Sequence, residues 1–260
     1  MNRLDELFAT TRAEGRAALV GYLPVGFPDV ATSIAAMVAM VEAGVDLVEV
    51  GVPYTDPGMD GPVIQVAVDA ALRAGSRVSN VFEAVEAVAE HAPAVVMGYW
   101  NPIEKLTPAV FAERLKAAGG SGAITPDLIP EEAQPWLDAA RANDLAPVFL
   151  VAPSSTDARL EVVARTNRGF VYVASTMGVT GTRDTVSSRA EELVTRMRQH
   201  TDLPLGVGLG VSNGAQAAEV AAYADAVIVG SAFVRALQDE GIDGVRRLAE
   251  DLAEGVRKKA

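Results

Sequence analysis

Residues 48–62 read VEVGVPYTDPGMDGP. Glu49 stands between Val48 and Val50, where burying an unpaired charge is costly. Asp56 and Asp60 follow in a short loop rich in proline and glycine. Two carboxylates in unlike surroundings can divide acid–base work. A desolvated one keeps its proton near neutrality, while a solvated one stays ionised. The plainer alternative is a core glutamate satisfied by a buried hydrogen bond, followed by a solvated turn.

Other chemistries have fewer residues to work with. The chain has 260 residues and no cysteine, so thiol nucleophiles, thiolate metal sites and disulfides are excluded. Its two histidines, His91 and His200, fall near the ends of amphipathic stretches, which disfavours histidine triads and multi-histidine metal sites. The lysines are Lys105, Lys116, Lys258 and Lys259, and none lies inside an apolar run that would depress its pKa for Schiff-base chemistry. That disfavours a lysine aldolase and a pyridoxal phosphate bound by this chain. The formal net charge of −12 argues against a nucleic-acid partner. It also requires any anionic ligand to be held by backbone N–H groups and helix dipoles rather than by a basic cluster.

These residues need a scaffold, and the hydrophobic pattern supplies one. Eight β-branched runs, at 17–24, 46–53, 94–100, 122–127, 147–153, 170–175, 204–211 and 225–231, read as strands. They are nearly continuous in apolar character, as expected for parallel strands covered on both faces. Amphipathic stretches lie between them, among them 32–44, 108–120, 130–144, 188–199 and 214–224. The alternation predicts one domain over 1–260, a single (β/α)8 TIM barrel. To this are added an N-terminal helix at 4–14 and an added helix at 79–91, after the second βα unit. The first fifteen residues lack an apolar signal core and no run is long enough to span a bilayer, so the expectation is a cytoplasmic protein.

Active sites of such barrels form at the C-terminal ends of the strands. Glu49 is late in the second strand and Asp60 lies in the loop after it. The loops after strands six to eight are rich in glycine: MGVTGTRD (177–184), GVGLGVSNG (206–214) and VGSAF (229–233). Together they predict a phosphate site of backbone donors around Gly181, Gly210, Gly230 and Ser231. Residues 176–188 read either as a closing lid or as a long surface loop.

In order and spacing, GYLPVGFPD, VEVGVPYTDPGMDGP, STMGVTGT, VGLGVSN and VGSA resemble the tryptophan synthase α-subunit family over essentially the whole chain. The resemblance implies retro-aldol cleavage of indole-3-glycerol phosphate to indole and glyceraldehyde 3-phosphate. It implies that Glu49 is the general acid/base and that Asp60 accepts the indole N–H. Tyr172 would stand near the catalytic carboxylate, and Thr180 and Gly181 would belong to a mobile sixth loop. It further implies a β subunit carrying pyridoxal phosphate in an α2β2 heterotetramer, facing Asp56, Pro57, Asn101 and Pro102. Many relatives have PFSDPLADGP where this chain has PYTDPGMDGP. Leu209 replaces a common phenylalanine at a position expected to border the indole pocket.

Overall fold

The computed structural model describes residues 2–174 and 183–258, with no side-chain description for 183–187. Nine parallel strand segments form one sheet: β1 (Ala18–Pro24), β2 (Leu47–Gly51), β3 (Ala94–Met97), β4 (Gly122–Ile124), β5 (Ala146–Val148), β6 (Leu150–Val151), β7 (Val171–Ala174), β8 (Leu205–Gly208) and β9 (Ala226–Val229). Their order is β5-β4-β3-β2-β1-β9-β8-β7-β6. The first and last members are consecutive pieces of one chain run, so the two ends of the sheet meet there and the barrel closes.

The expected fifth strand is therefore split, and a side chain explains the break. The Phe149 N–H donates to Asn167 Oδ1 at 2.9 Å instead of to a neighbouring strand. Asn167 Nδ2 in turn donates to the carbonyls of Phe149 and Phe170. Asn167 is buried, and these bonds satisfy backbone groups that water cannot reach. Several strands end earlier than their runs, and two of them show why. The third stops at Met97, and a helix begins at Trp100, whose N–H donates to Asp127 Oδ1. The eighth stops at Gly208, and Gly210 follows with φ of 70°, a left-handed conformation suited to glycine.

The strands alternate with helices: α1 (Arg3–Glu14), α2 (Val30–Glu42), α3 (Pro62–Arg73), α4 (Val78–Ala89), α5 (Trp100–Leu106), α6 (Pro108–Ala117), α7 (Gln134–Ala142), α8 (Asp157–Thr166), α9 (Arg183–Met197), α10 (Gly214–Ala221) and α11 (Ser231–Arg257). Helix α1 and the added helix α4 match the sequence expectation closely. Helix α9 begins five residues before the expected start at 188, while α11 contains a break at Gly241. No helix among the described residues is long and apolar enough to cross a membrane.

Strand alternation sets the interior. Val20, Leu47, Val95, Val148, Phe170 and Ile228 share an inner cluster, which Leu4 and Phe8 of α1 close from the N-terminal side. The Phe8 and Phe170 rings stand 5.8 Å apart. Glu49 lies two residues beyond Leu47, so it points to the same interior and one layer nearer the C-terminal mouth.

Candidate active site

Glu49 is paired with Tyr22 on β1 and Val95 on β3 in the strand register. It is only 2% exposed, and its Oε1 has no hydrogen-bond partner among the described residues. Burial alone pushes its pKa up to about 8, because the ionised form loses its hydration without gaining a donor. At neutral pH the side chain is therefore mainly the neutral acid.

Asp60 comes from the loop between β2 and α3, immediately before Gly61 and Pro62 start the helix. It is half-buried, which raises its pKa to about 6; a hydrogen bond from the Tyr99 hydroxyl works in the opposite direction. That hydroxyl also accepts the Met59 N–H at 3.0 Å, and Gln65 Nε2 donates to the Asp60 carbonyl at 2.7 Å. These contacts fix the loop. Near pH 7 one carboxyl holds its proton and the other remains an anion.

Both face a cavity of about 260 Å³. Its walls include Tyr22, Met59, Ile64, Met97, Leu150, Tyr172 and Ile228, apolar and aromatic surfaces suited to a flat ring. Glycines make room for the two tyrosines. A Cβ on Gly51 would lie 2.6 Å from the Tyr22 hydroxyl, and one on Gly208 would lie 2.7 Å from that of Tyr172.

The other side of the cavity is lined by Gly210, Gly230 and Ser231. Gly230 is the N-cap of α11 and supplies no capping side chain, so the first N–H groups of that helix are available to an anion. Helix α10 differs: Asn213 accepts the Gln216 N–H, and Gln216 Oε1 accepts the Ser212 N–H. The α11 terminus thus offers the open donors.

The cavity collects Glu49, Asp60, Tyr172, Gly210, Gly230 and Ser231 from the sequence expectations. Leu209 is placed differently. Leu209 is half-buried and is not among the lining residues, although Gly208 and Gly210 on either side of it are. Thr180 and Gly181, with most of the 176–188 loop, lie outside the described residues. Asp56, Pro57, Asn101 and Pro102 do not line the cavity, but their segments meet beside it. Asn101 Nδ2 donates to the Tyr54 hydroxyl at 3.1 Å, and the Tyr54 ring stacks on Tyr99 at 5.2 Å. The sequence reading passed over Tyr22, Ile64, Met97 and Leu150. Inward parity along their strands marks three of them, and Ile64 sits in the first turn of α3.

Known proteins resemble this chain in sequence and fold. A sequence profile for the family described as tryptophan synthase alpha chain matches residues 8–259. The tryptophan synthase alpha chain of Nocardia farcinica is 60% identical over 257 residues, covering 98% of this chain and 96% of that one. Its counterpart in Mycobacterium intracellulare is 57% identical over 260 residues, covering 100% and 96%. A solved structure of Mycobacterium tuberculosis tryptophan synthase superposes with a TM-score of 0.94 at 56% identity, with 99% of each chain covered. Tryptophan synthase subunit alpha of Legionella pneumophila retains a TM-score of 0.90 at 27% identity, over 98% of both chains. The barrel, its two carboxylates and this full-length similarity lead to one conclusion: the chain belongs to the tryptophan synthase alpha chain family.

Proposed function

We propose that this protein cleaves indole-3-glycerol phosphate to indole and glyceraldehyde 3-phosphate, with Glu49 as the acid/base and Asp60 as the stabilising anion. The observation that carries the assignment is a single cavity holding two carboxyl groups, one with its pKa pushed up to about 8 and the other to about 6. Glu49 gives its proton to C3 of the indole ring, which places positive charge on the ring nitrogen. The Asp60 carboxylate accepts the N–H there and stabilises that charge. Glu49, now ionised, takes the proton from the side-chain hydroxyl next to the ring. The oxygen lone pair forms the aldehyde C=O, the bond to C3 breaks, and its electrons return to the ring.

The remaining groups bind. Gly210, Gly230 and Ser231 hold the phosphate at the start of α11, joined by Gly181 from the sixth loop. Tyr172 flanks the reacting carbon, and Thr180 orders Asp60 when that loop closes. Leu209 borders the indole pocket.

A β subunit consumes the indole, and an α2β2 heterotetramer in the cytoplasm is the assembly we infer. Asp56, Pro57, Asn101 and Pro102 face that subunit. The Tyr54–Tyr99 stack gives this surface a physical route to Asp60, since Tyr99 bonds the aspartate. Pyridoxal phosphate belongs to the β subunit, and this chain needs no cofactor for the steps above.

The test is direct. Purified protein incubated with indole-3-glycerol phosphate is expected to release indole and glyceraldehyde 3-phosphate in equal amounts, about tenfold or more faster once a β subunit is added, as loop closure completes the site. Absence of cleavage with the partner present would overturn the assignment.

A further inference from the structure

The cavity wall holds one large apolar residue that the barrel core does not engage. Tyr22, Ile64, Met97, Leu150, Tyr172 and Ile228 all lie in the core or pack against it. Met59 lines the same cavity and, among the described residues, joins neither part of that core. Its surroundings outside the cavity are sparse. A Cβ on Gly58 or Gly61, which bracket Met59 and Asp60, would meet nothing within 4 Å. Met59 is half-buried, and the cavity is its apolar neighbourhood.

Hydrogen bonds fix the backbone at this point. The Met59 N–H donates to the Tyr99 hydroxyl at 3.0 Å, and Gln65 Nε2 donates to the next carbonyl, that of Asp60, at 2.7 Å. Tyr99 is itself buried and stacked on Tyr54. The loop therefore presents Met59 at a set place beside Asp60, with the two Cα atoms about 3.8 Å apart. A methionine held by its backbone and left out of the core is suited to meeting a ligand. Its thioether chain is unbranched, turns about three bonds and makes favourable contact with aromatic rings. An apolar side chain beside a cavity is stabilised when a flat ring covers it.

We propose that Met59 is a specificity-determining residue that packs its thioether side chain against the indole ring of the substrate. The proposal deepens the functional reading above and rests on it, since the ring is set beside Met59 by the N–H that Asp60 accepts. Met59 moves no proton and takes no part in bond breaking. The ring stays in place from bound substrate to transition state, so the contact stabilises both equally and its loss falls on KM rather than on kcat. Met59 thereby favours ligands that carry the flat ring over those that carry the phosphate alone.

Met59→Ala removes the thioether and keeps the backbone N–H that Tyr99 accepts. In complex with a β subunit, the variant is expected to bind 3-(indol-3-yl)propyl phosphate about tenfold more weakly by titration calorimetry. Glycerol 3-phosphate, which has the phosphate and no ring, should bind wild type and variant equally. Met59→Leu restores apolar surface and should recover most of the lost affinity. In cleavage of indole-3-glycerol phosphate, Met59→Ala should raise KM about tenfold and change kcat less than about threefold. Unchanged affinity of Met59→Ala for the indolyl compound would overturn the proposal. So would an equal loss for both ligands, since the substitution would then have disturbed the loop or the phosphate site. A wild type that binds the indolyl compound without cleaving the substrate would overturn the lyase reading alone, and the calorimetric comparison would still decide the role of Met59.

Discussion

Glu49→Gln is expected to lower kcat for indole-3-glycerol phosphate cleavage about a thousandfold while making the protein more stable. The amide is nearly isosteric but has no proton of suitable acidity for C3 and cannot take one from the substrate hydroxyl. Loss of a general acid/base costs roughly 10²–10⁴ in rate. The gain in stability follows from the same burial. In the folded protein Glu49 has its pKa pushed up to about 8, against the ordinary 4.5. Between those values the unfolded chain has lost a proton that the folded chain retains, so stability falls as pH rises through the interval. Below about 4.5 both states are protonated and the ionisation has no effect; above about 8 the loss is complete and constant. At pH 7 the cost is about 3 kcal/mol, which glutamine removes. Thermal unfolding of wild type and variant at several pH values checks this. The two melting temperatures should converge near pH 4 and separate progressively toward pH 8. A variant that melts below wild type at pH 8 would contradict the burial argument.

Asp60→Asn is expected to be the second most damaging change, lowering kcat about a hundred- to a thousandfold. The amide oxygen can still accept a hydrogen bond from the indole N–H, but it carries no charge to oppose the cation formed when C3 is protonated. The pH dependence separates the two roles. With Asp60 near 6 and Glu49 near 8, wild-type kcat/KM should be bell-shaped. Activity falls on the acid side as Asp60 gains its proton and on the alkaline side as Glu49 loses its own. In Asp60→Asn the acid limb should disappear and the alkaline limb remain. Retention of the acid limb in this variant would move that titration to another group.

Much of this site is legible because its elements obey strict periodicities. The alternation of strand runs with amphipathic stretches predicted the barrel, and Glu49 within the apolar run of β2 stands at the cavity that the structure shows. What escaped was controlled by single side chains and local backbone. The split at Phe149 depends on Asn167, eighteen residues away, which no strand pattern reveals. Tyr99 and Trp100 read as a continuation of β3 because aromatic residues suit strands. In fact the strand stops at Met97, α5 opens at Trp100, and Tyr99 is freed to bond the Asp60 loop. Leu209 was expected at the pocket from the residue that relatives carry there. Strand β8 ends at Gly208, so strand parity does not reach Leu209, while Gly208 and Gly210 on either side of it line the cavity. Tyr22, Met97 and Leu150 obey the same parity, but an apolar or aromatic residue at an inward position looks the same whether it fills a core layer or walls a cavity.

The most direct measurement is the titration of Glu49 itself. Protein labelled with ¹³C at the glutamate side-chain carboxyl, with the resonance assigned by its loss in Glu49→Gln, would be followed by NMR across pH. The account predicts a midpoint near 8, well above the ordinary carboxyl value of 4.5. A midpoint near 4.5 would mean that Glu49 is ionised at neutral pH, and it would contradict the claim that burial in β2 supplies the acid.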